Sequence, residues 1–163
     1  MAFERVKRTR RGDFTLKLPA SERRILRALP EQLRELLAEG DATDDAALRR
    51  LFPPATLDDE SINAEYAHLM HDDLLAERLL AIDTMERTLD ADRLTEEDLL
   101  AWLATINDLR LVLGVRLDVT EETTVADFAE LPDDDPRVQT YVTYSYLTFL
   151  EDHIVGALAG GLA

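Results

Sequence analysis

The chain has 163 residues and no cysteine, with 46% hydrophobic and 32% charged residues and a formal net charge of −16. That length suits one domain able to bury a real core, and the lack of Cys excludes disulfides, thiolate metal sites and thiol switches. Charge is divided unevenly: residues 1–24 carry eight basic side chains against three acidic ones, net +5, and the remainder nets −21, so the body as a whole cannot coat nucleic acid, while a basic arm can still steer anions.

Six glycines and six prolines argue against disorder and against a turn-rich β sandwich. No apolar run approaches the roughly 18 residues that span a bilayer, and no signal-peptide region opens the chain. The expected setting is cytoplasmic, without membrane contact.

Phe14-Thr-Leu-Lys-Leu18 alternates apolar and polar residues, the period of a half-buried strand. Phe3 to Arg8 is a weaker strand candidate, and Gly12 between them can take a positive φ. A small β-hairpin over residues 1–18 is therefore predicted, its turn presenting Arg8, Arg10 and Arg11 and its second strand closed by Pro19. Ser21 is a candidate N-cap, and Ile25, Leu26, Leu29, Leu33, Leu36 and Leu37 form one stripe ending before Gly40. This predicts a helix over 20–39 broken at Pro30, where the helix kinks or a second one starts. Asp44 to Leu51 reads as a short helix stopped by Pro53-Pro54.

The longest element is predicted over 58–89. Ile62, Tyr66, Leu69, Met70, Leu74, Leu75, Leu79, Ile82, Met85 and Leu89 keep a period near 3.6, behind Asp58, Asp59 and Glu60 at the positive end of the dipole. Thr95-Glu-Glu-Asp98 resembles a capping box and opens a helix over 95–116. Leu99, Leu100, Trp102, Leu103, Ile106, Leu109, Leu111, Val112 and Leu113 give that helix a face so wide that it must be buried between neighbours. Residues 118–135 read as an acidic loop with a short turn at Val125 to Phe128. Pro136 opens a last helix over 136–159, with Gly160-Gly161 after it. The fold expected for residues 1–163 is mainly α, a single-domain helical bundle of four to five main helices with a small N-terminal β-hairpin.

Catalytic motifs are missing: Ser21, Ser61 and Ser145 lie in no nucleophile elbow, no glycine-rich phosphate loop occurs, and the acidic runs lack EF-hand spacing. The chain is expected not to be an enzyme and to carry no cofactor. Glu65-x-x-His68, with His71 one turn on, is half of a di-iron helix element, and the second half is absent. Metal binding through Glu65, His68 and His71 is therefore an alternative, against ordinary helix-surface residues. Asn107, Asp108 and Arg110 form a polar cluster in an apolar helix; buried polar groups need partners, either inside the fold or on a bound protein. Tyr146 falls off the face shared by Tyr141, Tyr144 and Leu147 and is the candidate for an exposed aromatic anchor.

Three stretches have a specific look: Trp102 to Leu117 with Asn-Asp-Leu-Arg-Leu-Val-Leu-Gly at its centre, Leu48-Arg-Arg-Leu-Phe-Pro53, and Tyr146-Leu-x-Phe-Leu-x-Asp-x-Ile154. Together with the basic strand pair and Ser21-Glu22-Arg23, they resemble the actinobacterial oxidative stress regulator AosR family over essentially the whole chain. The resemblance implies a helical cytoplasmic protein without known enzyme activity, regulating transcription through a sigma factor or RNA polymerase. Cysteine-pair redox sensing attributed to the family does not carry over to a chain without Cys. Partner-binding candidates are thus Arg8, Arg10, Arg11, Asn107, Asp108, Arg110 and Tyr146. Direct DNA binding through the hairpin arginines is the second reading, and a homodimer through the apolar faces around Trp102 and Tyr146 is a further possibility.

Overall fold

The computed structural model describes residues 4–39, 45–52 and 60–160. Two short strands open it, β1 (Val6–Arg8) and β2 (Phe14–Leu16), paired antiparallel with Val6 opposite Leu16 and Arg8 opposite Phe14. Gly12 takes φ +93° in the turn, which closes through Thr9 N–H to the Asp13 carbonyl at 2.8 Å. Helix α1 (Ala20–Glu39) follows, then α2 (Ala46–Leu51) and α3 (Glu60–Arg87). Strand β3 (Arg93–Leu94) then returns to β2, with Phe14 opposite Leu94. The hairpin is thus part of a three-stranded sheet in the order β1-β2-β3. A two-residue strand has no period to read, which is why the sequence shows only two. Helices α4 (Glu96–Arg116), α5 (Ala126–Ala129) and α6 (Pro136–Ala159) complete the mainly α architecture.

The caps follow local chemistry. Asp45 accepts from the N–H groups of Ala47 and Leu48. Thr95 and Asp98 form a reciprocal capping box at 3.1 and 3.4 Å, and Asp135 caps α6 ahead of Pro136. Ser21 does not cap α1: that helix starts at Ala20, and the Pro19 carbonyl receives the N–H groups of Glu22 and Arg23. Nor does Pro30 end it. Leu26, Leu29, Leu33 and Leu37 are buried on both sides of Pro30, itself buried, and their common burial keeps both halves in one helix despite the lost N–H bond. The expected signals at Gly40, Asp44, Pro53-Pro54, Asp58, Asp59 and Gly161, and the side chain of Ile62, lie outside what is described.

Helix α4 is the centre of the core, packed by α2, α3 and α6. Its buried residues are Leu99, Trp102, Thr105, Ile106, Asp108, Leu109 and Val112. At ~100° per residue they cover about half the helix circumference, more than one neighbour can bury. On α3 only the second half matches the expected stripe, with Ile82 and Met85 buried; Tyr66, Leu69 and Met70 are exposed. Helix α1 is tied to α3 by Arg34 to Asp83 at 2.7 Å and to Glu86, and to Asp90 just beyond α3 by Arg27 at 2.6 Å.

Trp102 is fully buried, and its indole N–H donates to the Thr88 hydroxyl at 2.8 Å. Thr88→Val keeps the volume and removes the acceptor, leaving a buried donor unpaired. Urea unfolding should show a loss of about 1–3 kcal/mol.

Candidate functional site

In a hairpin, side chains alternate between faces. Arg8 shares the inward face of β1 with Val6 and does not project from the turn. Its guanidinium lies 4.7 Å from the Phe14 ring centroid, donates to the Leu158 carbonyl at 3.3 Å and sits 3.6 Å from the Glu96 carboxylate. Arg8 therefore docks the sheet onto α6 and the start of α4, and the expectation that it stands with Arg10 and Arg11 is corrected. Arg10 and Arg11 do stand at the turn, exposed and without an ion pair among the described residues. Lys7, on the solvent face of β1, and Lys17, just past β2, are exposed too. Nearby, Arg93 meets Asp13 at 3.8 Å and Arg23 meets Asp92 at 3.9 Å.

The α4 polar cluster does not act as one group. Asn107 is exposed. Asp108 is buried toward α3, with Arg78 Nε at 3.3 Å from its carboxylate, an ion pair not aligned as a hydrogen bond. Burial pushes the Asp108 carboxyl up to about 6, with the Arg78 charge opposing the shift. Arg78 also lies 5.3 Å from the Phe52 ring centroid, and Phe52 packs on His71 at 4.3 Å, so this pair pins the end of α2 against α3. Arg110 points the other way, to α6, donating to Thr148 at 3.0 Å and to Glu151 at 2.9 Å. Both charged members bond within the fold. The missed partner was Arg78; its signal was a cation one turn from both Leu74 and Ile82 on the inner face of α3.

Tyr146 is also corrected. It is half-buried against the core, and its hydroxyl is enclosed beside the Arg5–Glu22 ion pair of 2.8 Å. Burial and the Glu22 carboxylate raise its pKa well above the ordinary tyrosine range. It cannot serve as an exposed anchor. Trp102 is buried as well, so neither of the two side chains that marked the possible homodimer faces is itself exposed.

Glu65, His68 and His71 do not converge. Steps of three residues turn ~60° around a helix, so these side chains fan out, and both histidines instead approach Asp72 at 3.6 and 3.8 Å. Among the described residues no group of three or more His, Asp or Glu side chains could hold a metal, and no helix is long and apolar enough to cross a membrane.

Residues 2–158 match the family described as Domain of unknown function (DUF2017). The chain is 35% identical over 133 residues to proteins named oxidative stress regulator AosR in Mycobacterium bovis and Mycobacterium tuberculosis, covering 71% of this chain and 59% of theirs. It is 33% identical over 132 residues to one named putative oxidative stress regulator AosR in Mycobacterium leprae, with the same coverage. The chain thus spans about 59% of the length of these relatives. No solved structure matches it.

The Asp108–Arg78 pair carries a pH signature. The folded chain holds the Asp108 proton up to about 6, against an ordinary value of 3.8. The stabilisation of the protonated form is therefore complete below 3.8 and lost as pH rises through about 6. Urea titrations of the wild type and Asp108→Asn between about pH 4 and pH 7 should show the wild type losing about 1–3 kcal/mol relative to the variant as pH rises.

Proposed function

The chain belongs to the DUF2017 family, and from that premise we propose that it is a non-enzymatic regulatory protein that acts by binding another protein. The partner is a component of the transcription machinery, a sigma factor or RNA polymerase, as its resemblance to the oxidative stress regulators suggests. The observation that carries this reading is the charge polarity left after internal pairing. Arg10 and Arg11 stay open at one end, while acids crowd the exposed face of α3 and the segment between α4 and α6. Opposite charges on separate surfaces orient a protein partner and speed its encounter. Having no Cys, this chain regulates without a thiol switch of its own.

A second reading is favoured by one observation: Arg10, Arg11, Lys7 and Lys17 are all exposed on or beside the hairpin. Such side chains can contact DNA phosphates without reading bases.

Two measurements decide between them. Tagged chain mixed with purified RNA polymerase and sigma factors should retain one of them at low salt and release it as salt rises; recovery of neither rejects the first reading. For DNA, affinity should fall steeply with salt, and Arg10→Ala with Arg11→Ala should reduce the slope of log K against log salt by about 2. Absence of DNA binding at about 50 mM salt ends the second reading.

A further inference from the structure

Helix α3 is apolar on two sides. Its inner side enters the core through Ile82 and Met85, while Tyr66, Leu69 and Leu80 on the outer side are 47%, 62% and 67% exposed. Tyr66, Leu69, Asp73, Ala76 and Leu80 are spaced alternately three and four residues apart, and all five are exposed. That is the a/d seam of a helix awaiting a second helix. Among the described residues the core covers the inner side, while the outer apolar side chains stay exposed.

The seam also states the charge of its occupant. Asp73 lies within it, and Glu65, Asp72, Glu77 and Asp83 line it, all exposed. Asp83 is paired with Arg34 of α1 at 2.7 Å, and Arg87, at the end of α3, lies 4.0 Å from Asp98, so among the described residues Glu65, Asp73 and Glu77 have no ion pair. A second copy would set these carboxylates against their own counterparts, on a chain of net charge −16.

We infer that the outer face of α3, from Tyr66 to Leu80, is the docking site for a basic amphipathic helix of a partner protein, with apolar residues against Leu69 and Leu80 and a Lys or Arg against Asp73. This rests on the protein-binding reading above and specifies its surface. The long helix would carry the partner on one side and the core on the other.

The probe is a synthetic peptide of about three heptads with Leu at the a and d positions and Lys or Arg elsewhere, compared with a scrambled peptide of the same composition. Amide shifts on adding the ordered peptide should map to residues 66–80. Leu69→Ser with Leu80→Ser should weaken binding about tenfold or more, and Asp73→Asn with Glu77→Gln should weaken it and flatten its salt dependence. Both leucines are more than half exposed, so the variants should fold, which circular dichroism checks. Equal binding of the scrambled peptide, shifts elsewhere, or unchanged affinity in the leucine variant overturns the inference. So does a wild-type dimer in sedimentation that the leucine variant abolishes, since the occupant is then a second copy. A transcription protein recovered equally by wild type and the leucine variant sinks this surface and leaves the protein-binding reading standing. Recovery of none sinks the reading, while the peptide measurement still judges the surface.

Discussion

Enclosure of α4 is the constraint on which the rest of the structure depends. A helix buried over about half its circumference needs walls in several directions, and α2, α3 and α6 supply them. Enclosure also means that each polar group on α4 must find its partner inside. The Trp102 indole reaches Thr88 at the end of α3, Thr105 bonds back to the Ala101 carbonyl at 3.0 Å, Asp108 meets Arg78, and Arg110 meets Glu151. The two ion pairs lead to different helices, so between them they fix how α3 and α6 rotate about α4. A buried pair is weak evidence for stability, because desolvation offsets its attraction. At Asp108 burial outweighs the Arg78 charge and pushes the carboxyl up to about 6, in line with that offset. Orientation of the helices is what these pairs contribute most clearly.

The same logic turns the N-terminal sheet from a loose arm into a fixed part of the body. Arg8 spans Phe14, Leu158 and Glu96, and Arg5 joins Glu22 and lies 5.4 Å from the Phe149 ring centroid. Leu16 N–H reaches the Asp92 carbonyl at 2.8 Å, bringing the sheet to the connection between α3 and α4. Several of the eight basic groups counted near the N-terminus thus hold the fold together. The charge polarity seen in composition survives folding in reduced form, with Arg10, Arg11, Lys7 and Lys17 as its outward remainder.

Local chemistry made much of this legible in advance. The capping box at Thr95, the proline start of α6 and the wide face of α4 are decided within a few residues, and each appears as read. Features decided across the chain were not. Strand β3 exists because β2 offers it an edge, and Pro30 is tolerated because tertiary burial outweighs one missing hydrogen bond. Periodicity placed Tyr66, Leu69 and Ile82 on the same helix, but only the neighbours of α3 decide which of them are covered. Arg8 was readable after all: it lies two residues from buried Val6 in a strand, so the pleat sends both to one face. Glu65, His68 and His71 show the limit of spacing along one helix, since the remaining ligands of such a site must come from other helices, and among the described residues no such group forms.

The acidic body does not by itself settle whether the hairpin can meet an anion. Between exposed charges, screening takes hold beyond about 10 Å at 0.1 M salt, so acids near the turn matter more than the net charge. Those acids are engaged: Asp13 with Arg93 and Thr9, Glu96 with Arg8, and Asp92 with Arg23. Arg10 and Arg11 thus stand exposed beside acids that already have cationic partners, although the chain as a whole is strongly negative. On α3 the balance reverses, because Asp72, Asp73 and Glu77 are exposed and Arg78, the cation among them, faces inward to Asp108. Internal pairing has thus partnered acids at one pole and withdrawn a cation from the other. The contrast that a binding partner meets is sharper at each pole than the average charge of −16 conveys.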